Sequence, residues 1–303
     1  MQRVPRGAKA GLAVAVTSSP AEVQTLERQE LAGGLVRESL RLPGFDPDEA
    51  VPAVALHPGS GGPFPVAIAV HGFRGGKESM EDWCRDLAER GVFAVAIDAH
   101  LHGERSVAGI FHGEDIASLG VEYAVWVHQT AIARTARDVP VLLDALAGRP
   151  DVDASRVAAA GVSMGGCVAM VLAWREPRVG VVANIIGAVD FWWDVTKTPP
   201  GPQQEARRAS YSPRLRELVA SLDPRPRLAR IPPKALLITS AGRDEYIDLE
   251  SVRRFVADLE PLYGKERGRL RFVPFPEARH SVSEAMWKEA QDWIVRGLGA
   301  LQP

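Results

Sequence analysis

The stretch "GVSMGG" (161–166) holds a serine, Ser163, flanked at both second neighbours by glycine, Gly161 and Gly165. An apolar run precedes it and a helical pattern, "MGGCVAMVLAWRE", follows it. A Gly-x-Ser-x-Gly turn between a strand and a helix lifts the hydroxyl clear of a sheet edge, and glycines are needed because side chains there would meet neighbouring backbone. The turn also aims a helix N-terminus at any developing anion. A serine hydroxyl needs a base, and the base needs an orienting acid. On such a scaffold they follow in the order serine, acid, histidine. "SAGRDEYI" supplies Asp244 just past a strand end, and "PFPEARHSV" supplies His280 just past the next. "HGFRGG" (71–76) leaves an earlier strand with glycine-rich backbone. The N–H groups of Phe73 and Met164 are the expected oxyanion donors. The chemistry these residues could do is acyl transfer.

Each assignment has rivals. Glu245, Asp190 and Asp194 compete with Asp244 as the acid. His71, His100, His102 and His128 compete with His280, but none follows the last strand. "DAHLHGE" places Asp98, His100, His102 and Glu104 where metal ligands could be read. The other reading is a loop beside the site, tied by hydrogen bonds. Cys84 and Cys167 read as small core residues. Phe191, Trp192, Trp193 and Tyr246 follow strand ends and are candidates for a substrate pocket. Arg74 and Arg243 flank the proposed hole and acid and read as solvated surface.

The elements that must position these residues can be read from hydrophobic pattern. "FPVAIAVHGF", "VFAVAIDAH", "RVAAAGV", "VGVVANII", "KALLITS" and "LRFVPF" are strand-like runs without polar alternation, separated by helical patterns. That implies a parallel sheet covered on both faces. The long helix reads as 130–150, closed by Gly148 and Pro150. "QELAGGLVRESLRLPG" and "EAVPAVALHPG" alternate and carry turn signals, which suggests antiparallel strands at the leading edge. Residues 191–232, rich in Pro and charge, read as a lid insertion with one short helix around 213–221. Residues 1–28 read as an N-terminal extension; the basic start and the patch "AGLAVAV" resemble a signal peptide but are short and broken by glycine.

The series "HGF", "DAHLHGER", "DVDASRVAAAGVSMGG", "GRDEYI", "RHS" resembles the α/β-hydrolase superfamily. Within it, the chain is similar to bacterial carboxylesterases related to dienelactone hydrolase and to serine peptidase-like hydrolases, over roughly residues 30–300. The resemblance implies a single domain over 1–303 with a mostly parallel eight-stranded sheet, helices on both faces and the small lid. It implies a serine carboxylesterase with Ser163, Asp244 and His280 as its triad, acting on esters of short to medium acyl chains. It favours the hydrogen-bonded reading of the loop at 98–104 and implies no metal and no cofactor. Ser163 departs from dienelactone hydrolase itself, which carries cysteine, and this favours esters generally over a lactone specialist. A peptidase or amidase of the same fold is the alternative, and a non-catalytic hydrolase-like binding protein the second.

With 46% hydrophobic residues the chain can fill one sizeable core. A net charge of -2 argues against nucleic acid or an anionic membrane as partner, leaving a small-molecule ester; a homodimer is left open. Only two cysteines fit a cytoplasmic location.

Overall fold

A computed structural model of the chain describes residues 22–107 and 120–300. Residues 1–20, where the signal-like start lies, are outside them. Nine strands form one sheet: β1 (Gln24–Glu30), β2 (Leu35–Pro43), β3 (Ala50–Pro58), β4 (Phe64–Val70), β5 (Phe93–Ile97), β6 (Val152–Val162), β7 (Val179–Ile185), β8 (Ala235–Ala241) and β9 (Leu270–Phe275). Their order is β1-β2-β3-β5-β4-β6-β7-β8-β9. The first three strands pair antiparallel, and β3 joins β5 the same way. From β5 to β9 every pairing is parallel.

Parallel strands are buried on both faces, so β4, β5 and β8 are buried almost throughout. Their alternate residues feed two cores. Val66, Ile68 and Val70 of β4, with Phe93, Val95 and Ile97 of β5, enter the larger one. Ala67, Ala69, Ala94 and Ala96 enter the smaller. Into the first pack α2 (Val121–Leu146), α3 (Met164–Arg175), α6 (Pro213–Leu222) and α7 (Leu249–Tyr263). Into the second pack α1 (Glu81–Glu89) and α8 (Glu284–Leu298). The alanines leave room there for Trp83 of α1, and Trp293 of α8 lies in the same core.

This is the expected α/β-hydrolase fold, with three corrections. The ninth strand is β1, which begins inside the stretch read as an extension; all seven of its residues are exposed, so no apolar pattern announces it. Residues 191–232 hold three α-helices rather than one, α4 (Phe191–Thr196), α5 (Pro202–Ser210) and α6, and a 3-10 turn at Arg225–Arg230. In α5 only Gln204 is buried, so it carries no hydrophobic stripe to read. Helix α2 begins nine residues earlier than expected, because its first turns are largely exposed. Among the described residues no helix is long and apolar enough to cross a membrane.

Candidate active site

Ser163 joins β6 to α3 at φ 53° and ψ -110°, outside the conformations that L-residues favour. The neighbouring glycines make that turn possible. A Cβ on Gly161 would lie 2.2 Å from the backbone of Gly165, and one on Gly165 would lie 2.0 Å from the carbonyl oxygen of Val70. Only hydrogen fits at either place. The strain is held by the ends of the turn: Ser163 N–H donates to Ile185 O at 2.8 Å, and Ser163 O accepts from Cys167 at 3.0 Å.

Three loops at the carboxyl ends of parallel strands meet here. His280 follows β9 and Asp244 follows β8. Ser163 Oγ lies 2.8 Å from His280 Nε2. His280 Nδ1 lies 2.8 Å from Asp244 Oδ2 and 2.9 Å from Oδ1. Burial works to raise the Asp244 pKa, but hydrogen bonds from His280 and from the backbone of Ile247 and Tyr246 outweigh it and hold the carboxyl below its usual range. An ionised Asp244 accepts only, so His280 Nδ1 carries the proton and Nε2 presents its lone pair to Ser163. Chemically, this arrangement can take a proton from a hydroxyl and return it elsewhere.

The rival acids are engaged in other ways. Glu245 accepts the backbone N–H of His280 at 3.3 Å. Asp190 caps α4 by accepting from Trp193 N, and Asp194 pairs with Lys197 at 2.6 Å. The loop after β5 is also hydrogen-bonded. Asp98 accepts from the backbone of Lys77 and Glu104 and from Lys77 Nζ. Nδ1 of His102 lies 2.9 Å from His100 O. Among the described residues, no three His, Cys, Asp or Glu side chains are grouped to hold a metal. Burial pushes His102 down to about 4. The buried Lys77 went unnoticed in the sequence, where a lysine after two glycines reads as surface. Burial alone would lower its pKa, but Glu104, Glu78 and Asp98 surround it and keep it charged. It ties the 71–77 loop to the 98–104 loop.

Backbone of the 71–76 segment runs beside the serine: a Cβ on Gly72 would lie 3.9 Å from that of Ser163. Phe73 packs its ring against His102 and His128, at 5.2 and 5.5 Å. Met164 opens α3, so its N–H is among those without a partner inside the helix. The aromatic candidates divide. Tyr246 is 59% exposed and sets its ring edge-on to His280 at 4.9 Å. Phe191 and Trp192 are buried in the larger core. Trp193 is also buried, and its indole N–H donates to Asp248 at 3.2 Å. Arg74 is exposed at φ 66°, and Arg243 pairs with Glu277 on the surface.

A model of the dienelactone hydrolase family matches residues 51–288. The chain belongs to the dienelactone hydrolase family. The matched span runs from β3 into α8, so it contains Ser163, Asp244, His280 and all of residues 191–232 and leaves out β1 and β2. Among similar proteins is one from Bacillus subtilis named "Putative esterase YitV", 24% identical over 242 residues, which are 76% of this chain and 88% of that one. A "Putative carboxymethylenebutenolidase" of Methylorubrum extorquens is 28% identical over 169 residues, 56% of this chain and 54% of that protein. The crystal structure of TT1662 from Thermus thermophilus superposes with a TM-score of 0.65 at 23% identity, covering 92% of this chain and 100% of that one. As a dienelactone hydrolase family member, the chain is an enzyme of the hydrolase and esterase type.

Proposed function

We propose that this family member is a serine hydrolase that cleaves carboxylic esters through an acyl-enzyme. The observation that carries the reading is the chain of contacts from Ser163 Oγ to His280 Nε2 at 2.8 Å and from His280 Nδ1 to Asp244 at 2.8 Å. Ser163 Oγ attacks the ester carbonyl while its proton passes to His280 Nε2. The negative charge on the former carbonyl oxygen is met by the N–H groups of Phe73 and Met164. When the tetrahedral species collapses, His280 gives that proton to the leaving alcohol. Water then enters, loses a proton to His280, attacks the acyl carbon and releases the acid with Ser163 restored. Asp244 holds His280 in the required tautomer and stabilises its transient charge. Tyr246, exposed with its ring against His280, is placed to touch the bound ester. The substrate is a small ester of short to medium acyl length.

A fluorophosphonate should label the protein on Ser163, and Ser163→Ala should abolish both labelling and ester turnover. Losses on the order of 10³-fold or more in kcat are expected for this residue type. A folded Ser163→Ala protein with near-normal activity would overturn the reading.

A further inference from the structure

His71 stands where β4 leaves the sheet and is fully buried. Its two ring nitrogens face different partners. Nε2 accepts the backbone N–H of Ala99 at 3.1 Å. That nitrogen therefore carries no proton, and the ring is the neutral Nδ1–H tautomer. Nδ1–H donates to the carbonyl oxygen of Gly72 at 2.7 Å. The N–H of Gly75 reaches the same oxygen at 3.0 Å. Burial keeps His71 below the usual histidine range, in keeping with a neutral ring. With Nε2 occupied by Ala99, His71 is no base for Ser163.

The Gly72 carbonyl and the Phe73 N–H belong to one peptide unit, and the only cis bonds among the described residues precede Pro63 and Pro233. In a planar trans unit the two groups point in opposite directions, so fixing the oxygen fixes the N–H. We propose that His71 is a positioning residue: through Gly72 O it holds the Phe73 N–H toward the oxygen of the carbonyl under attack. The proposal rests on the serine mechanism above. His71 touches no reacting atom; it acts through one peptide plane, on the side facing away from the serine.

Two amide substitutions separate its two hydrogen bonds. In His71→Asn the side-chain amide nitrogen can replace Nδ1, keeping the donor to Gly72 and losing the acceptor for Ala99. In His71→Gln the amide oxygen can replace Nε2, keeping the acceptor and losing the donor. Full-length variants are compared by kcat and KM on a short-chain ester, by inhibition with a trifluoromethyl ketone, and by melting temperature. For Gln, kcat should fall on the order of 10- to 100-fold with KM changed less than about threefold, and the ketone should bind correspondingly more weakly. Asn should stay within about threefold of the wild type in both. Equal losses in the two variants, a loss tracking melting temperature, or a Gln variant with full kcat would overturn the role of His71. Wild-type protein that a fluorophosphonate fails to label at Ser163 would instead overturn the serine mechanism, and this proposal with it.

Discussion

At the scale of single residues, the division of labour between two adjacent carboxylates is decided by what each one accepts. Asp244 takes the ring N–H of His280 together with two backbone N–H groups, whereas Glu245 takes the backbone N–H of His280 and pairs with Arg279 on the surface. Asp244→Asn places an amide opposite His280 Nδ1. An amide N–H there turns Nδ1 into an acceptor and moves the ring proton to Nε2, where it can no longer receive one from Ser163. Turnover should fall on the order of 10³- to 10⁴-fold with the fold intact by circular dichroism. Glu245→Gln keeps an acceptor for the backbone and should cost less than about tenfold. Reversed ranking of the two variants in kcat would transfer the acid role to Glu245.

At the scale of elements, the segment 191–232 is anchored at its base by a buried acid. Asp223 closes α6 and accepts the N–H groups of Phe191 and Arg225, so it ties the start of this segment to the stretch after α6. Burial pushes its carboxyl up to about 6, and the nearby Asp190 adds to the rise. Below about pH 4 the group holds its proton folded or unfolded, and its burial then costs little. Between pH 4 and about 6 the unfolded chain ionises first, so stability is lost as pH rises, and the loss levels off above the folded value. Asp223→Asn keeps an acceptor without the charge. The variant should gain on the order of 2 kcal/mol relative to wild type between pH 4 and pH 7 in denaturant titrations. A difference between the two proteins that is flat with pH would show that the carboxyl is ionised throughout.

The whole molecule bears on what the site accepts. Phe191, Trp192, Val195, Leu215, Val219 and Leu222, all within residues 191–232, are committed to the larger core. None of the large apolar side chains of residues 191–232 is among the exposed ones, so that segment offers little to line a long acyl tunnel. Each methylene that fits a cavity is worth on the order of 0.8 kcal/mol, and gains stop when the cavity is full. Across acetyl to palmitoyl esters, kcat/KM should therefore peak at roughly two to six carbons. A profile rising to long chains would mean that the insertion opens. An amide hydrolysed as fast as its matched ester would favour the peptidase alternative.

What the sequence determined by itself was whatever depends on neighbours along the chain. The runs of β4, β5, β6 and β8 are readable because a strand buried on both faces has no polar alternation. The turn at Ser163 is readable from its Gly-x-Ser-x-Gly spacing; Gly161 answers a steric demand made by Gly165 within the turn, whereas the demand on Gly165 comes from Val70 across the sheet. Asp244 and His280 could be placed on the same rim as Ser163 because parallel strands bring their carboxyl ends together there. Tertiary structure alone decided the rest. The exposed strand β1 exists through backbone pairing with β2, and side-chain pattern does not record that pairing. Phe191 and Trp192 could have walled a cavity or filled a core, and they lie buried in the larger core, with α5 and α6 packed against their helix. His71 looked like one histidine among seven. Its ring is set by Ala99, a residue 28 positions away whose backbone N–H meets it across the edge of the sheet. Hydrogen bonds to backbone leave no trace in residue type, so a contact of that kind becomes visible only when the strands have closed around it.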